Sequence, residues 1–143
     1  MFVSCASLNS IDNKSFNYIG KLLLSYKDNN SASFNININL FKNESIIQIK
    51  KPIYGNVLNI RTYKNENISF TPLKYGQYIK IPYEIDINLH NWISECLLKK
   101  NLSIVQSKDK FSYEFICNEN KNKIFFKIKY QEYNLEGYIV QKI

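Results

Sequence analysis

The sequence predicts a mainly β protein: a curved antiparallel sheet, a half barrel, with one covering helix near residues 86–100. Three observations carry this. Phe34, Ile36, Ile38 and Leu40 alternate with Asn35, Asn37 and Asn39, which is the two-residue period of a strand with one wet face. Short polar turns separate successive runs of this kind, arguing for an antiparallel meander rather than parallel strands joined by crossover helices. One segment breaks to helical spacing, with Ile85, Leu89, Trp92, Ile93, Cys96 and Leu97 on one stripe.

The elements follow in order. Residues 16–26 form the first strand, with Tyr18, Leu22 and Leu24 on one face and Gly20 as a weak point or bulge. The alternating run 33–41 is the second. Runs 44–51, 56–63 and 67–70 continue the series, with polar turns at 27–30 and 64–66. The helix comes next. Asp86 or Asn88 supplies its N-cap, Lys99 and Lys100 suit its negative end, and Pro82 discourages an earlier start. Runs 102–107, 111–117, 123–130 and 135–141 bring the strands to nine, with further turns at 108–110 and 118–122. The inward faces offer Phe34, Ile36, Ile38, Leu40, Phe111, Tyr113, Phe115, Phe126 and Ile128, and the helix adds Leu89, Trp92, Ile93 and Cys96. Two arrangements fit this pattern: a filled core, or a cavity for an apolar ligand.

Composition narrows the function classes. The chain has 143 residues, 45% of them hydrophobic and 15% aromatic, which suits one domain with a sizeable core. Residues 1–15 read as a tether and 16–143 as a single domain. The net charge is +7, almost all of it lysine, since Arg61 is the only arginine. Base-specific nucleic-acid readers lean on arginine, so a backbone binder or an anionic lipid surface suits this charge better. Aromatics interleaved with lysine over 121–130 suit a single-strand platform, or an alternating strand with a charged wet face. No run reaches the roughly 18 apolar residues that span a bilayer.

Chemistry is sparse. His90 is the only histidine, with no nucleophile set around it in sequence. Glu84 and Asp86 suit helix capping better than acid–base work. The four glycines are isolated, so no phosphate loop forms. The Asn-x-Ser matches at Asn43, Asn67 and Asn101 are expected by chance in so asparagine-rich a chain. Cys96 and Cys117 could pair in an oxidising compartment, and three cysteines without tight spacing make no metal or redox motif. The expectation is a binding protein with no cofactor, no metal and no catalysis.

Two local features stand out. Pro52-Ile53-Tyr54-Gly55 turns the chain between two strands yet carries two large apolar side chains where turns are normally polar. Ile53 either folds onto the core, with Tyr54 capping it, or the turn is a finger that dips into a membrane or an apolar partner. At the start, Phe2-Val3-Ser4-Cys5-Ala6-Ser7 is similar to the end of a bacterial lipoprotein cleavage site, although no full secretory signal precedes it. Cys5 is then either a lipidated residue or an ordinary thiol.

In order, these pieces resemble the outer-membrane lipoprotein receptor of the bacterial Lol pathway, the LolB family. The matching residues are Cys5, Tyr18-Ile19-Gly20-Lys21, the alternating strand 33–41, the Pro-apolar-Gly loop 51–55, Ile81-Pro82, and Leu89-His90-Asn91-Trp92-Ile93. The chain departs from the family pattern in one extra loop residue, Tyr54, in a short segment over 71–80, and in lacking Gly-Pro after the tryptophan helix. The resemblance implies a monomeric half barrel holding the acyl chains of lipoproteins, taken from a LolA-like periplasmic carrier. It would pass them to the inner leaflet of the outer membrane, anchored there at Cys5 on the periplasmic face of a Gram-negative cell. It implies Ile53, with Tyr54, as the membrane-insertion loop. It also implies a cavity lined by Phe34, Ile36, Ile38, Leu40, Leu89, Trp92, Ile93, Phe111, Phe115 and Phe126. General apolar-ligand binding, or a lysine-rich module for nucleic acid or an acidic protein, are the other classes; nucleic acid is not expected under the family reading.

Overall fold

The computed structural model describes residues 15–27, 29–52, 55–71, 81–108 and 111–142. Nine strands make one antiparallel sheet: β1 (Phe16–Tyr26), β2 (Asn29–Leu40), β3 (Glu44–Lys51), β4 (Gly55–Tyr63), β5 (Glu66–Thr71), β6 (Asn101–Lys108), β7 (Phe111–Asn120), β8 (Lys123–Tyr130) and β9 (Tyr133–Gln141). The spatial order is β5-β4-β3-β2-β1-β9-β8-β7-β6, so the sheet is open, with β5 and β6 at its edges. Each half is a meander, and β1 pairs with β9 at the centre. The expected half barrel is the observed architecture.

The chain passes from edge β5 to edge β6 through the helix, α1 (Tyr83–Ser94), continued by one wider π-helical turn (Glu95–Lys99). That route lays the helix across the open side of the sheet. It starts earlier than the sequence suggested, directly after Pro82, whose fixed φ is compatible with the position ahead of a first turn. Asp86 therefore sits inside the first turn instead of capping it, and its Oδ1 accepts a hydrogen bond from the Ile68 backbone N–H of edge strand β5 at 2.6 Å. Asn88 bonds back to the Glu84 carbonyl at 2.8 Å. The helix ends on Lys100, in the left-handed region at φ 57°, with its ammonium 2.9 Å from Glu119.

Two glycines let the sheet close up at its centre. A Cβ on Gly20 would lie 1.8 Å from the Tyr138 carbonyl oxygen, and one on Gly137 would lie 1.9 Å from that of Lys21. Gly20 is thus a close approach; of the two expectations, weak point or bulge, the bulge is absent, for the β1–β2 register runs unbroken through it and shifts only between Leu24 and Tyr26. Hairpin turns are tight: Lys121 and Asn122 both take positive φ (52° and 67°), as two-residue loops between twisted strands require.

The alternation seen in sequence sorts the two faces. Ile36, Ile38 and Leu40 are buried. On the opposite face the asparagines bond to one another, Asn17 Nδ2 donating at 2.7 Å to both Asn37 Oδ1 and Asn39 Oδ1.

Candidate functional site

The concave side of the sheet divides into two halves. One is packed solid. Tyr18, Ile38, Leu40, Ile47, Ile124 and Ile139 meet the C-terminal half of the helix through Ile93, Cys96 and Leu97. A disulfide between Cys96 and Cys117 ties the π-helical turn to β7. Cys117 is fully buried and Cys96 nearly so.

The other half is hollow. A cavity of about 730 Å³ lies between the sheet and the first half of the helix, within the roughly 300–1,000 Å³ of small-molecule sites. Leu22 and Leu24 of β1, Phe34 of β2, Ile49 of β3 and Ile60 of β4 form its floor. Tyr113 and Phe115 of β7, Ile128 of β8 and Leu135 of β9 form the far wall. Ile81, Ile85, Leu89 and Trp92 roof it from the helix side. Its polar lining comes from Glu114 and the Tyr113 hydroxyl on β7 and from Lys129, Gln131 and Tyr133 around the β8–β9 turn. Burial pushes the Tyr113 phenol up to about 12, with the Glu84 carboxylate adding to the shift. The Trp92 and Tyr113 rings lie 6.0 Å apart and tilt against each other.

Of the residues the sequence assigned to a cavity, Phe34, Leu89, Trp92 and Phe115 line it. Ile36, Ile38, Leu40, Ile93 and Phe126 instead belong to the solid cluster. The correction has a physical cause: the cystine draws the helix's C-terminal half onto the sheet, so the same inward stripe is filled at one end and open at the other. Ile53, Tyr54 and Cys5 lie outside the described residues, as does the side chain of Phe111. Ile49 and Val57 flank the β3–β4 turn and line the cavity. The described ends of this connection, Lys51 and Gly55, pair at the hollow end of the half barrel.

A second feature escaped the sequence. His90, 2% exposed, joins helix to sheet. Its Nε2 lies 3.1 Å from the Lys42 carbonyl, which can only accept, so Nε2 carries the proton and Nδ1 accepts from the Ser45 hydroxyl at 2.6 Å. Ser45 in turn accepts from Thr62 at 2.9 Å. Ser45 and Thr62 are wholly buried, and none of the three lines the cavity. This serine–histidine pair is a clasp between helix and sheet, sealed from solvent. The signal was thin: a serine and a threonine at inward positions of paired strands, Ser45 opposite Thr62 in register.

Fold and cavity define a class: an open antiparallel half barrel, roofed by a helix, with an apolar chamber at one end. No known family model matches the chain, and no curated protein is significantly similar to it.

Proposed function

We propose that the protein is a LolB-like outer-membrane lipoprotein receptor, which takes acyl chains into this chamber from a periplasmic carrier and releases them into the membrane. The observation that carries the reading is the chamber itself, almost wholly apolar and opening at the end where Lys51 and Gly55 pair. Acyl transfer needs no covalent chemistry. It needs a graded affinity for hydrocarbon, and each methylene buried contributes about 0.8 kcal/mol, or roughly fourfold in affinity. The cystine supports an oxidising compartment such as the periplasm. Exposed Tyr26 and Tyr133 lie at the hollow end, where aromatic rings with a polar tip suit a bilayer interface. Ile53, with Tyr54, is the residue proposed to enter the lipid, and Cys5 the anchor.

The test uses a fluorescent fatty-acyl probe and Trp92, the only tryptophan and a roof residue. Binding should change Trp92 emission. Ile60→Trp, which fills the floor, should weaken binding about tenfold or more while the protein stays folded. Ile53→Glu should still load acyl cargo yet fail to pass it to liposomes. A folded wild-type protein that binds no probe at micromolar concentration would refute the chamber. Normal delivery by Ile53→Glu would refute the finger while leaving the chamber intact.

A further inference from the structure

One row of the concave face carries a tyrosine on each of four neighbouring strands. Tyr113 of β7 pairs with Tyr130 of β8, Tyr130 with Tyr133 of β9, and Tyr133 with Tyr26 of β1. Directly paired residues share a face, so the four make one band across the hollow end. Two residues further in, the same strands carry Phe115, Ile128, Leu135 and Leu24, which pair in the same way and line the chamber. A layer with hydroxyls thus stands in front of a layer of hydrocarbon. Only Tyr113 of the band is buried, at 6% exposed, whereas Tyr26 and Tyr133 are 44% and 45% exposed. Its ring lines the chamber, and its hydroxyl is buried without a hydrogen-bond partner among the described residues. Burial is the main cause of its raised pKa; the exposed Glu84 carboxylate adds to it from nearby, without a hydrogen bond of acceptable geometry. Buried hydroxyls normally have a partner, and apolar pockets orient their ligands through a few placed polar groups.

We propose that Tyr113 is the chamber's hydrogen-bond donor, giving its hydroxyl proton to the carbonyl oxygen of an acyl ester whose chain runs inward along Phe115, Ile128, Leu135 and Leu24. This rests on the acyl-chain reading above and adds the linkage of the chain and the direction in which it lies. The phenol stays protonated, with a pKa pushed up to about 12, so it offers one O–H to an acceptor. An ester carbonyl only accepts, and it carries no charge into the apolar space behind the band. A free carboxylate also accepts, but it would bring a negative charge beside Glu84 and against hydrocarbon, where an unpaired charge is costly. The two charged residues of the lining do not offset that cost, because Glu114 and Lys129 oppose each other in register.

The test is equilibrium binding to the full chain, read through Trp92, whose ring lies 6.0 Å from that of Tyr113. The probes are methyl laurate, laurate and tetradecane, and the variant is Tyr113→Phe, which removes the hydroxyl alone. The variant should bind methyl laurate about three- to tenfold more weakly than wild type, the span of one neutral hydrogen bond. It should bind tetradecane equally well or better, and laurate should lose less than the ester. Its melting temperature should equal or exceed that of wild type, because the hydroxyl bonds nothing within the protein. A lower melting temperature would reveal an internal partner and overturn the proposal. An equal or larger loss for laurate would assign Tyr113 to a free carboxylate and overturn the ester. Unchanged methyl laurate binding in the variant removes the donor but leaves the chamber standing. A folded wild-type protein that binds none of the three probes removes both.

Discussion

Removing the clasp at His90 should be the most damaging single side-chain truncation on the helix. In His90→Ala the Ser45 hydroxyl loses its acceptor, and the Lys42 carbonyl loses its donor. Ser45 is fully buried, so no water replaces the ring without a new cavity. Leaving one buried polar group unsatisfied costs about 1–3 kcal/mol. Deleting a large, 98%-buried side chain adds a cavity term, for which large-to-alanine changes in cores run to about 2–5 kcal/mol in all. The two overlap, so about 3–5 kcal/mol is expected, against a total stability of about 5–15 kcal/mol for a domain. At this size each kilocalorie moves the melting temperature by about 2–4 °C, giving a drop of roughly 6–20 °C. Thermal and urea unfolding followed through Trp92 measure it. Ser45→Ala should cost less, because it leaves only ring nitrogen and Thr62 hydroxyl to re-pair. The double variant should cost clearly less than the sum, since the two residues share one bond. A His90→Ala protein within 1 kcal/mol of wild type, or additive costs in the cycle, would refute the clasp.

Two further outcomes follow from the packing. Gly137→Ala should destabilise strongly, because the new Cβ would lie 1.9 Å from the Lys21 carbonyl oxygen and 2.9 Å from the Phe126 ring, and only the ring can move aside; a melting temperature equal to wild type would contradict that geometry. Replacing Cys96 and Cys117 together by alanine should cost about 3 kcal/mol, the loop-closure value for a cross-link of this span, and should raise hydrogen exchange along residues 95–99 before it does so elsewhere.

The sheet was legible because its period is short and strict. Phe34 to Leu40 alternates without a slip, and a half-buried strand leaves no other reading. The covering helix was legible from the apolar stripe Leu89, Trp92, Ile93 and Leu97, but its start was not. Pro82 does bar an earlier start, but the helix begins at the very next residue, and neither Asp86 nor Asn88 caps it: Asp86 bonds to the neighbouring strand and Asn88 back to the Glu84 carbonyl. The cavity was legible only as a choice. Alternation tells which residues face inward, not how far away the opposite wall is. Ile38 and Phe34 share one face of β2, yet one is packed and the other lines empty space. What separates them is the slope of the helix, set by a pairing of cysteines 21 positions apart and by a histidine bonded across 45 positions. Nothing in local spacing reports such long-range contacts.

That slope is also the mechanical argument for how a chamber survives in a protein this small. An empty apolar space costs stability, and an unsupported roof would fall onto the floor. Here three fastenings hold the helix at different points along its length. Asp86 to the Ile68 N–H holds the first turn over β5, His90 to Ser45 and Lys42 holds the middle over β3, and Cys96 to Cys117 holds the end against β7. All three are polar or covalent, with fixed lengths, and none depends on filling the space beneath Leu89 and Trp92. The hydrophobic effect alone would close the hollow half as it closes the packed half. The chamber stays open because the roof is fastened at three points, over β5, β3 and β7, which leaves its apolar underside unfilled.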